Sequence, residues 1–450
     1  MSRPSPEQLA KKLVQRARRR GAQQAEALVQ IGRQSSVRVR NGEIEHLTQA
    51  TSKGVGLRVL KNKRLGFAYT SDFQPASLEA FVDRALALAD EAAPNPHNGL
   101  PSRKDLGTPT PPEHLFDPRV ADLPPDWKLQ TALEVEKAAR SVDPRIAAFD
   151  SVGAGDSVNE TYVVSSEGAS AGFSGTYVWL YAVPVASDGK QHQTAYWSDS
   201  KRYLDDLDSA EAIGKEAARR AVRKLGARKV KSQRVPVVFD PTMAGAFIAA
   251  VSEAANGDAV YKKSSVFAPL LGKRIAAKGV TIVDDGLMDR GLGTSPVDGE
   301  GVACRVTPIV EGGVLKSFLY DTLTARKAKA KTTGNAARGY SSLPHIGTNN
   351  LKLQPGAAPP EEIIRGVKRG LYVTSMLGRG ADIVTGDYSR GANGLWIEDG
   401  ELTFPVQEVT VAGNLLQMLK SIDAVGSDLE FRGSILAPTI RFAELTVAGE

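Results

Sequence analysis

The sequence predicts an α+β fold: an N-terminal α+β region, arranged twice as helix, antiparallel strands and helix, precedes a mostly antiparallel, barrel-like β domain with marginal helices. Two observations indicate this fold. The order helix, several strands, helix occurs twice before residue 226, and short strand patterns with frequent glycine follow from Val235 onward. The expected parts are an α+β unit at 1–92, a proline-rich connector at 93–126, a second α+β unit at 127–226 and a β-rich domain at 227–450.

The first unit is predicted from a change in hydrophobic period along the chain. Residues 6–20 and 75–92 carry apolar side chains at helical spacing, and the residues between them alternate as in strands. Asn41-Gly42 and Asn62-Lys63 are typical of hairpin connections, so neighbouring strands are expected to be antiparallel. The predicted strands are Ala25–Ile31, Ser35–Val39, Gly54–Leu60 and Leu65–Tyr69.

The connector and the second unit follow. Residues 93–125 contain nine of the 25 prolines and show no sustained periodicity, which indicates an extended connector or a strap over a neighbouring domain. The second unit is predicted from helical patterns flanking long alternating segments. Its predicted elements are helices at 127–142 and 209–225 and strands within 146–166 and 172–197. The repeated order suggests a duplicated unit, although no residue-level repeat accompanies it.

The C-terminal domain opens with a buried strand that runs through Asp240-Pro241 into an apolar helix, which Asn256-Gly257 closes. In many hydrolases such a junction carries the chemistry. This helix has one carboxylate, Glu253, and no histidine or cysteine, so it cannot bind a metal by itself. Later predicted strands are Val280–Val283, Gly301–Val310, Val314–Tyr320, Ile346–Leu353, Leu371–Ser375, Ile383–Ser389, Gly394–Glu398, Glu401–Thr410 and Pro438–Val447. Later predicted helices are Asp321–Lys331, Pro360–Arg369 and Asn414–Ala424.

Composition restricts the class of protein. A chain of 450 residues with 42% hydrophobic and 24% charged residues is expected to be a soluble globular protein of two or three domains. No segment approaches the ~20 apolar residues that cross a bilayer, and the N-terminus lacks the apolar core of a secretory signal. We therefore expect a cytoplasmic protein without membrane contact. The single cysteine, Cys304, excludes an internal disulfide and is predicted to be a small buried strand residue.

Basic residues cluster at 11–20, 219–231 and 326–331, although the net charge is only +6. Each cluster has helical periodicity with apolar residues on the other face, which favours solvated helix faces. The alternative is a surface for nucleic acid or an acidic partner, but no aromatic interleaving or known nucleic-acid motif accompanies the charge. We therefore expect nucleic acid to be an unlikely partner.

Catalytic motifs are weak. The five histidines are scattered, and Gly291-Leu-Gly293 lacks the third glycine of a dinucleotide-binding turn. Ser198-Asp-Ser-Lys201 and Lys331-Thr-Thr-Gly334 resemble fragments of serine-hydrolase motifs only by chance. Asp284-Asp285 and Asp298-Gly-Glu300 could supply oxygen ligands for a hard cation, but solvated acids in turns are the favoured interpretation. The residues alone thus indicate no self-contained catalytic site.

Several motifs in order along the chain carry a family resemblance. They are Gly42-Glu-Ile-Glu45, Gly54-Val-Gly-Leu-Arg58, Val238-Phe-Asp-Pro241 leading to Gly257-Asp258, Asp298-Gly-Glu-Gly301, Lys331-Thr-Thr-Gly-Asn335, and Ile422-Asp-Ala-Val-Gly426 with Asp428-Leu429. Together they resemble the TldD/PmbA (TldE) family, once described as modulators of DNA gyrase and now as a two-subunit zinc protease. The C-terminal Leu445-Thr-Val-Ala-Gly-Glu450 is typical of the PmbA side.

The resemblance also implies which branch of the family the chain matches. In the TldD branch the helix after the Val-Val-Phe-like strand carries His-Glu-x-x-x-His, and a later cysteine completes the zinc site. Counting back from Gly257-Asp258, the histidine positions fall at about Ile248 and Glu253, and no cysteine lies between Gly426 and Pro438. Because a zinc site needs three protein ligands, the resemblance implies a PmbA/TldE-like chain with no metal ligands, cofactor or catalytic residues of its own.

The implied function is that of a metal-free, non-catalytic subunit of a TldD/TldE-type zinc metallopeptidase complex that processes unfolded or extended peptides. Zinc is then expected in a TldD-like partner subunit, and this chain alone is expected to be inactive. Two alternatives stay open. One is a regulator associated with DNA gyrase or nucleic acid, and the other is a stand-alone homodimer with a metal-free peptide-binding cleft.

Overall fold

The computed structural model describes residues 5–110, 113–378 and 380–450. Residues 1–4 of the predicted first unit and 111–112 of the predicted connector lie outside the described residues. The fold is mixed α+β with mostly antiparallel sheets and a closed five-stranded barrel in the C-terminal part, which confirms the predicted fold class. Within these ranges, no helix is both long and apolar enough to cross a membrane.

One sheet of seven strands underlies the N-terminal half. Its strands are β1 (Gln24–Arg40), β2 (Glu43–Lys61), β3 (Arg64–Thr70), β4 (Ile146–Ser165), β5 (Ser170–Ser187), β6 (His192–Thr194) and β7 (Trp197–Lys201). They are ordered β3-β2-β1-β4-β5-β6, with β7 also paired to β5. Because β1 pairs with β4 from Glu26 to Val39, strands of both predicted α+β units lie in one sheet. The division of the chain at residues 92 and 126 stays a prediction.

The strand β1 is longer than the sequence predicts. The two predicted strands at 25–31 and 35–39 are one strand, because Gly32 pairs with Ser52 of β2 and with Asn159 of β4 and so continues both ladders. The hairpin predicted at Asn41-Gly42 is confirmed. Both residues have positive φ angles, 52° and 82°, as a two-residue connection matched to the twist of a sheet requires.

Helices cover one face of this sheet. They are α1 (Pro6–Arg19), α2 (Pro75–Glu91), α5 (Pro125–Arg140) and α6 (Ala210–Val222), preceded in the connector by the short α3 (Arg103–Leu106) and α4 (Pro118–Ala121). Odd-numbered β1 residues such as Ala27 and Val37 are buried beneath these helices, and the even-numbered residues point to the opposite face. The connector lies against the C-terminal part, where the Ala303 amide donates to the Leu106 carbonyl at 2.7 Å.

The barrel is formed by strands that are distant in sequence. They are β8 (Gln233–Phe239), β15 (Arg369–Leu377), β16 (Asp387–Glu398), β17 (Glu401–Asn414) and β20 (Ile440–Ala448), and β18 (Ile422–Val425) extends the sheet beyond β20. The order β17-β16-β15-β8-β20 is closed by pairing of β17 with β20, and only β8 and β15 are parallel within it. Closure removes the free edges of these strands.

A second, five-stranded sheet lies beside the barrel. Its order is β11 (Val314–Leu315), β10 (Val306–Glu311), β9 (Ile282–Asp285), β14 (Leu351–Leu353) and β19 (Ile435–Leu436), and a small pair joins β12 (Ala336–Ala337) to β13 (His345–Ile346). The helices of this part are α7 (Pro241–Ala254), α8 (Gly257–Tyr261), α9 (Thr322–Ala328), α10 (Pro360–Arg365) and α11 (Leu415–Ser421).

Several predicted boundaries in this part are wrong. The strands predicted at 383–389 and 394–398 are one strand, β16, the strand predicted at 314–320 ends at Leu315, and the helix predicted at 414–424 ends at Ser421. Two further errors have identifiable reasons. The strand predicted at 301–310 starts only at Val306, because the preceding loop wraps around Asp298, whose carboxylate accepts from the Glu300 and Val302 amides. The helix predicted at 321–331 ends at Ala328, because Lys329 adopts a left-handed conformation with φ 53°. Both boundaries depend on backbone geometry that periodicity does not report.

The helix α7 packs against the barrel through aromatic side chains. The ring of Phe247 lies edge-on to Phe442 of β20 at 5.2 Å, and Phe239 of β8 lies 4.8 Å from the same ring. All three side chains belong to the main C-terminal core. This contact fixes which face of α7 is buried and which is presented outside the barrel.

Candidate functional site

The junction between β8 and α7 forms as predicted. Asp240 caps the helix, with its Oδ1 accepting from the Met243 amide at 2.9 Å, and Pro241 occupies the first turn, where its missing N–H costs nothing. The helix ends before Asn256, whose side chain caps the next helix, α8, rather than serving only as a stop. The sequence signals at both ends of α7 therefore correspond to real helix caps.

The two positions that the family resemblance predicts to match lost zinc ligands, Ile248 and Glu253, do not converge. Ile248 is only 1% exposed and belongs to the core, whereas Glu253 lies in solvent near the C-terminal end of α7. In the part of the chain that the structure describes, no group of three or more His, Cys, Asp or Glu side chains is arranged to hold a metal ion. The residues present do not fit zinc.

A cleft of about 500 Å³ lies beside the first turns of α7, between the N-terminal sheet and the barrel. Residues 195–198, the end of α6, the start of α7, β15 and the segment 430–437 form its walls. The side chains that decide its chemistry are Trp197, Arg220, Arg223, Lys224, Met243 and Arg432. Neither Ile248 nor Glu253 lines it.

Trp197 organises two of the cationic groups. The guanidinium carbon of Arg220 lies 3.7 Å from the centre of the Trp197 ring, and that of Arg432 lies 4.4 Å from it. Contacts of this kind are favourable because the ring face carries negative potential. Since Trp197 itself is almost fully buried, the indole fixes both guanidinium groups at the wall of the cleft.

The cations of the cleft differ in their partners. Arg220 pairs with Glu216 at 2.8 Å and with Asp240 at 3.3 Å. Arg432 pairs with Asp208 at 2.9 Å and with Glu430 at 3.0 Å. These two guanidinium groups are thus neutralised by carboxylates from the protein.

Arg223 and Lys224 have no carboxylate partner within ion-pair distance among the described residues. The Nε of Arg223 is buried and makes no hydrogen bond, and Lys224 Nζ donates to the Thr194 carbonyl at 2.9 Å. Burial lowers the pKa of both groups, and neighbouring guanidinium groups lower it further. The cleft therefore contains positive charge that the protein does not compensate.

Asp240 lies behind the cleft and is almost completely buried. Burial raises its pKa to about 6, although Arg220 and Arg223 and the Met243 amide act in the opposite direction. Burial, followed by the charge of Asp240, raises the pKa of the nearby Tyr372 hydroxyl. The carboxylate at the start of α7 is therefore a titrating group near neutral pH.

A groove lies on the face of the N-terminal sheet that the helices do not cover. It has a volume of about 450 Å³ and is lined by Arg38, His46, Trp179 and Tyr181 among others. Tyr181 stacks with Tyr196, with ring centres 6.1 Å apart, and Tyr196 lines the cleft. The walls of the groove and of the cleft therefore touch through this stacked pair.

The same sheet has a free strand edge. The short β3 pairs only with Val55–Lys61 of β2, and in the described parts of the chain residues 43–54 pair with β1 alone. The side chains of Ile44 and Leu47 on this segment are more than half exposed. An unpaired, exposed strand edge with apolar side chains is a template for another extended chain.

Several motif residues have structural roles instead. Asp298 and Glu300 were expected to be either cation ligands or solvated turn acids, and both interpretations are wrong. Glu300 is buried and pairs with Arg58 at 2.9 Å, while Asp298 is buried and accepts from three backbone amides. Asp284 is likewise buried and accepts from Asn335 and Asn349. These acids hold loops together.

Cys304 lies in the interior, as predicted, but in the loop that precedes β10 rather than in a strand. Burial, and to a lesser degree the charge of Asp298, raises the pKa of its thiol to about 12. A nucleophilic cysteine needs a depressed pKa, so this thiol is not a reactive group at neutral pH.

The sequence did not reveal the cleft residues. Arg220, Arg223 and Lys224 belong to the basic cluster 219–231 that was interpreted as a solvated helix face, and for these three residues that interpretation is wrong. Trp197 appeared only as the end of a predicted strand. A signal was present only for Arg220, which helical spacing places beside the buried stripe of α6; Arg223 follows the last residue of the helix and lies nearly opposite that stripe.

Comparisons with known proteins agree with this architecture. Family models for PmbA/TldA metallopeptidase domain 1, central domain and C-terminal domain match residues 25–89, 118–225 and 232–449. Metalloprotease PmbA of Escherichia coli O157:H7 is 32% identical over 419 residues, covering 92% of this chain and 90% of the relative. A metalloprotease TldD homolog of Haemophilus influenzae is 26% identical over 450 residues, covering 94% and 92%.

Solved structures resemble the whole fold. A putative modulator of DNA gyrase from Bacteroides thetaiotaomicron has a TM-score of 0.92 at 28% identity and covers 100% of both chains. TldE from Thermococcus kodakarensis has a TM-score of 0.88 at 24% identity, covering 98% of this chain and 100% of that one. The fold and the three matches define a class of proteins built from the PmbA/TldA metallopeptidase domains in this order. The chain belongs to the PmbA/TldD family.

Proposed function

We propose that this chain is the metal-free, non-catalytic subunit of a TldD/TldE-type zinc metallopeptidase complex that processes unfolded or extended peptides in the cytoplasm. One observation carries the proposal. The two α7 positions that the family resemblance matches approximately to zinc ligands of the TldD branch are a core isoleucine and a solvent-exposed glutamate, and no group of His, Cys, Asp or Glu among the described residues is arranged to hold a metal ion. Zinc and hydrolysis then belong to a TldD-like partner subunit.

The contribution of this chain would be to bind and position peptides. The free edge of β2 can pair with an extended peptide through backbone hydrogen bonds, which makes few demands on sequence. The groove lined by Trp179 and Tyr181 and the cleft beside α7 offer further side-chain contacts to such a peptide. Holding a peptide in one extended conformation lowers the entropic cost of presenting it to a catalytic centre.

A nucleic-acid or gyrase-associated role is the second candidate, because a solved relative is described as a putative modulator of DNA gyrase. The basic helices give it little support. Arg16 and Arg20 of α1 pair with Glu79, and Arg20 also pairs with Asp83. Charges that are already paired release few counterions on binding DNA, so the expected affinity is low and only weakly dependent on salt; binding that fell steeply with salt would support this candidate instead.

The deciding experiment compares the chain alone with the chain purified together with a TldD-like protein from the same organism. We expect no stoichiometric zinc and no cleavage of an unfolded casein substrate by the chain alone, and both properties in the complex. Zinc and peptidase activity in the isolated chain would refute the proposal. A homodimer that binds peptide but never associates with the TldD-like protein would favour the stand-alone alternative.

A further inference from the structure

The cleft beside α7 has an excess of positive charge on its walls. Four cationic side chains line it, and Glu430 is the one carboxylate among its lining residues. The buried Asp240 behind it pairs with Arg220, and Glu430 pairs with Arg432. The charge that is left over belongs to Arg223 and Lys224.

A buried guanidinium group without a partner is costly, because its donors lose water and gain nothing in return. The Nε of Arg223 is in this position, and Lys224 satisfies only one hydrogen bond, to the Thr194 carbonyl. An unpaired donor that faces a cleft can be satisfied by a ligand, and here it lies beside a second cation on the same wall. An anion seated between Arg223 and Lys224 would supply the missing acceptors.

The remaining walls indicate what else the ligand carries. Tyr196, Trp197, Met243 and Ile435 present apolar surface next to the two cations. A strongly hydrated anion such as phosphate gains nothing from such walls, whereas a carboxylate attached to an apolar group fits both the charged and the apolar parts. A guanidinium fork also matches the geometry of a carboxylate.

We propose that this cleft is a binding site for a carboxylate next to an apolar group, and that its occupant is the C-terminal residue of a bound peptide. The choice of a peptide as the source rests on the proposed function. The groove lined by Tyr181 and Trp179 contacts the cleft through the stacked Tyr181–Tyr196 pair, so we place an extended peptide along the groove with its C-terminus between Arg223 and Lys224.

The test uses isothermal titration calorimetry on the isolated, full-length chain. The probes are an N-acetylated hexapeptide that ends in a leucine with a free carboxylate, and the same peptide as its C-terminal amide. We expect the free acid to bind at least about tenfold more tightly, because the amide removes a charge-assisted interaction with Arg223 and Lys224. Equal affinities, or no binding of either peptide, would overturn the proposal.

Single substitutions test whether Arg223 and Lys224 bind the carboxylate. Arg223→Gln and Lys224→Gln should each weaken binding of the free acid by about tenfold and leave binding of the amide unchanged. Arg219→Gln is the matched control, because Arg219 lies on the same helix but points into solvent and does not line the cleft. If Arg223→Gln binds the free acid as tightly as Arg219→Gln does, the site is wrong.

Two competition experiments distinguish which kind of anion binds in the cleft. Competition by benzoate alone at a similar affinity would support the carboxylate site but identify small organic acids as its ligands. Competition by inorganic phosphate without competition by benzoate would overturn the proposal. Since the isolated chain is used throughout, these results are independent of whether a TldD-like partner supplies zinc and activity.

Discussion

Arg58 of β2 and Glu300 of the loop after β9 form a buried ion pair, with Nη2 and Oε1 2.9 Å apart, that joins the N-terminal sheet to the C-terminal part. Arg58 also pairs with Glu26 of β1 at 2.9 Å, and Glu26 in turn contacts Arg338. All four side chains are less than a tenth exposed. Two positive and two negative charges thus compensate each other inside the molecule.

Removal of one of these four charged side chains should therefore lower the free energy of unfolding considerably. Arg58→Met leaves Glu26 and Glu300 buried without their shared partner, and we expect a loss of about 3–5 kcal/mol in the free energy of unfolding. Urea denaturation followed by circular dichroism measures this loss.

The matched control for the buried pair is Arg234→Met. Arg234 pairs with Glu444 at 2.8 Å, but both side chains are more than half exposed, so the expected loss is within about 1 kcal/mol. The double variant Arg58→Met with Glu300→Gln should lose less than the sum of its single variants, since it removes opposite charges together. Equal losses for Arg58→Met and Arg234→Met would show that the network does not stabilise the fold.

Local features of this fold could be predicted from the sequence, whereas this buried network of charges could not. The strand-to-helix junction at Asp240 and Pro241 was predictable because capping signals are local, and the barrel class followed from the spacing of short strands. The partners of Arg58 were not predictable from the sequence, because Glu26 and Glu300 lie on different elements and no local pattern connects them. The acids at 298 and 300 looked like surface turns for the same reason.

The residues that line the cleft could not be predicted from the sequence for the same reason. Its walls come from α6, α7, β15 and the segment 430–437, which only tertiary packing brings together. Helical periodicity assigns Arg220 to the flank of an apolar stripe and Arg223 to the side nearly opposite it, and it cannot show that a second element covers either position. The family resemblance located α7 correctly and gave no information about the cations beside it.

A further prediction concerns the sheet glycines of the Gly54-Val-Gly-Leu-Arg58 motif. A Cβ built on Gly56 would lie 2.2 Å from the carbonyl oxygen of Tyr340, a backbone atom that cannot rotate away. Gly56→Ala should therefore push the 338–340 segment from the sheet and cost about 1–3 kcal/mol in the free energy of unfolding, measured by urea denaturation. Gly279→Ala, where the added Cβ meets nothing within 4 Å, is the control. Similar losses for both variants would argue against a close backbone contact at Gly56.

Tyr196 should contribute to peptide binding. Its side chain is 62% exposed, stacks on Tyr181 and lines the cleft, so it offers aromatic surface to a ligand. We expect Tyr196→Ala to weaken binding of an unfolded model peptide by about threefold to tenfold, as loss of an aromatic contact worth about 1 kcal/mol implies. Tyr69→Ala removes a similarly exposed tyrosine, 58%, from the edge strand β3 and should leave the affinity unchanged. Fluorescence anisotropy of a labelled peptide measures both, and equal effects would place the peptide elsewhere.

Asp240 should make stability depend on pH. Its pKa is raised from the usual 3.8 to about 6 in the fold, chiefly by burial, so the folded state binds the proton more tightly than the unfolded chain does. The resulting stabilisation amounts to about 3 kcal/mol; it is complete below pH 3.8 and is lost as the pH rises through about 6.

Asp240→Asn keeps an oxygen that can cap α7 but does not titrate. Relative to the unaltered chain, this variant should therefore become more stable by about that amount between pH 4 and pH 7.5. Ser209→Ala, which removes the uncharged cap of α6, should change stability equally at both pH values. A stability difference for Asp240→Asn that is constant between these pH values would show that this carboxyl group does not titrate in the predicted range.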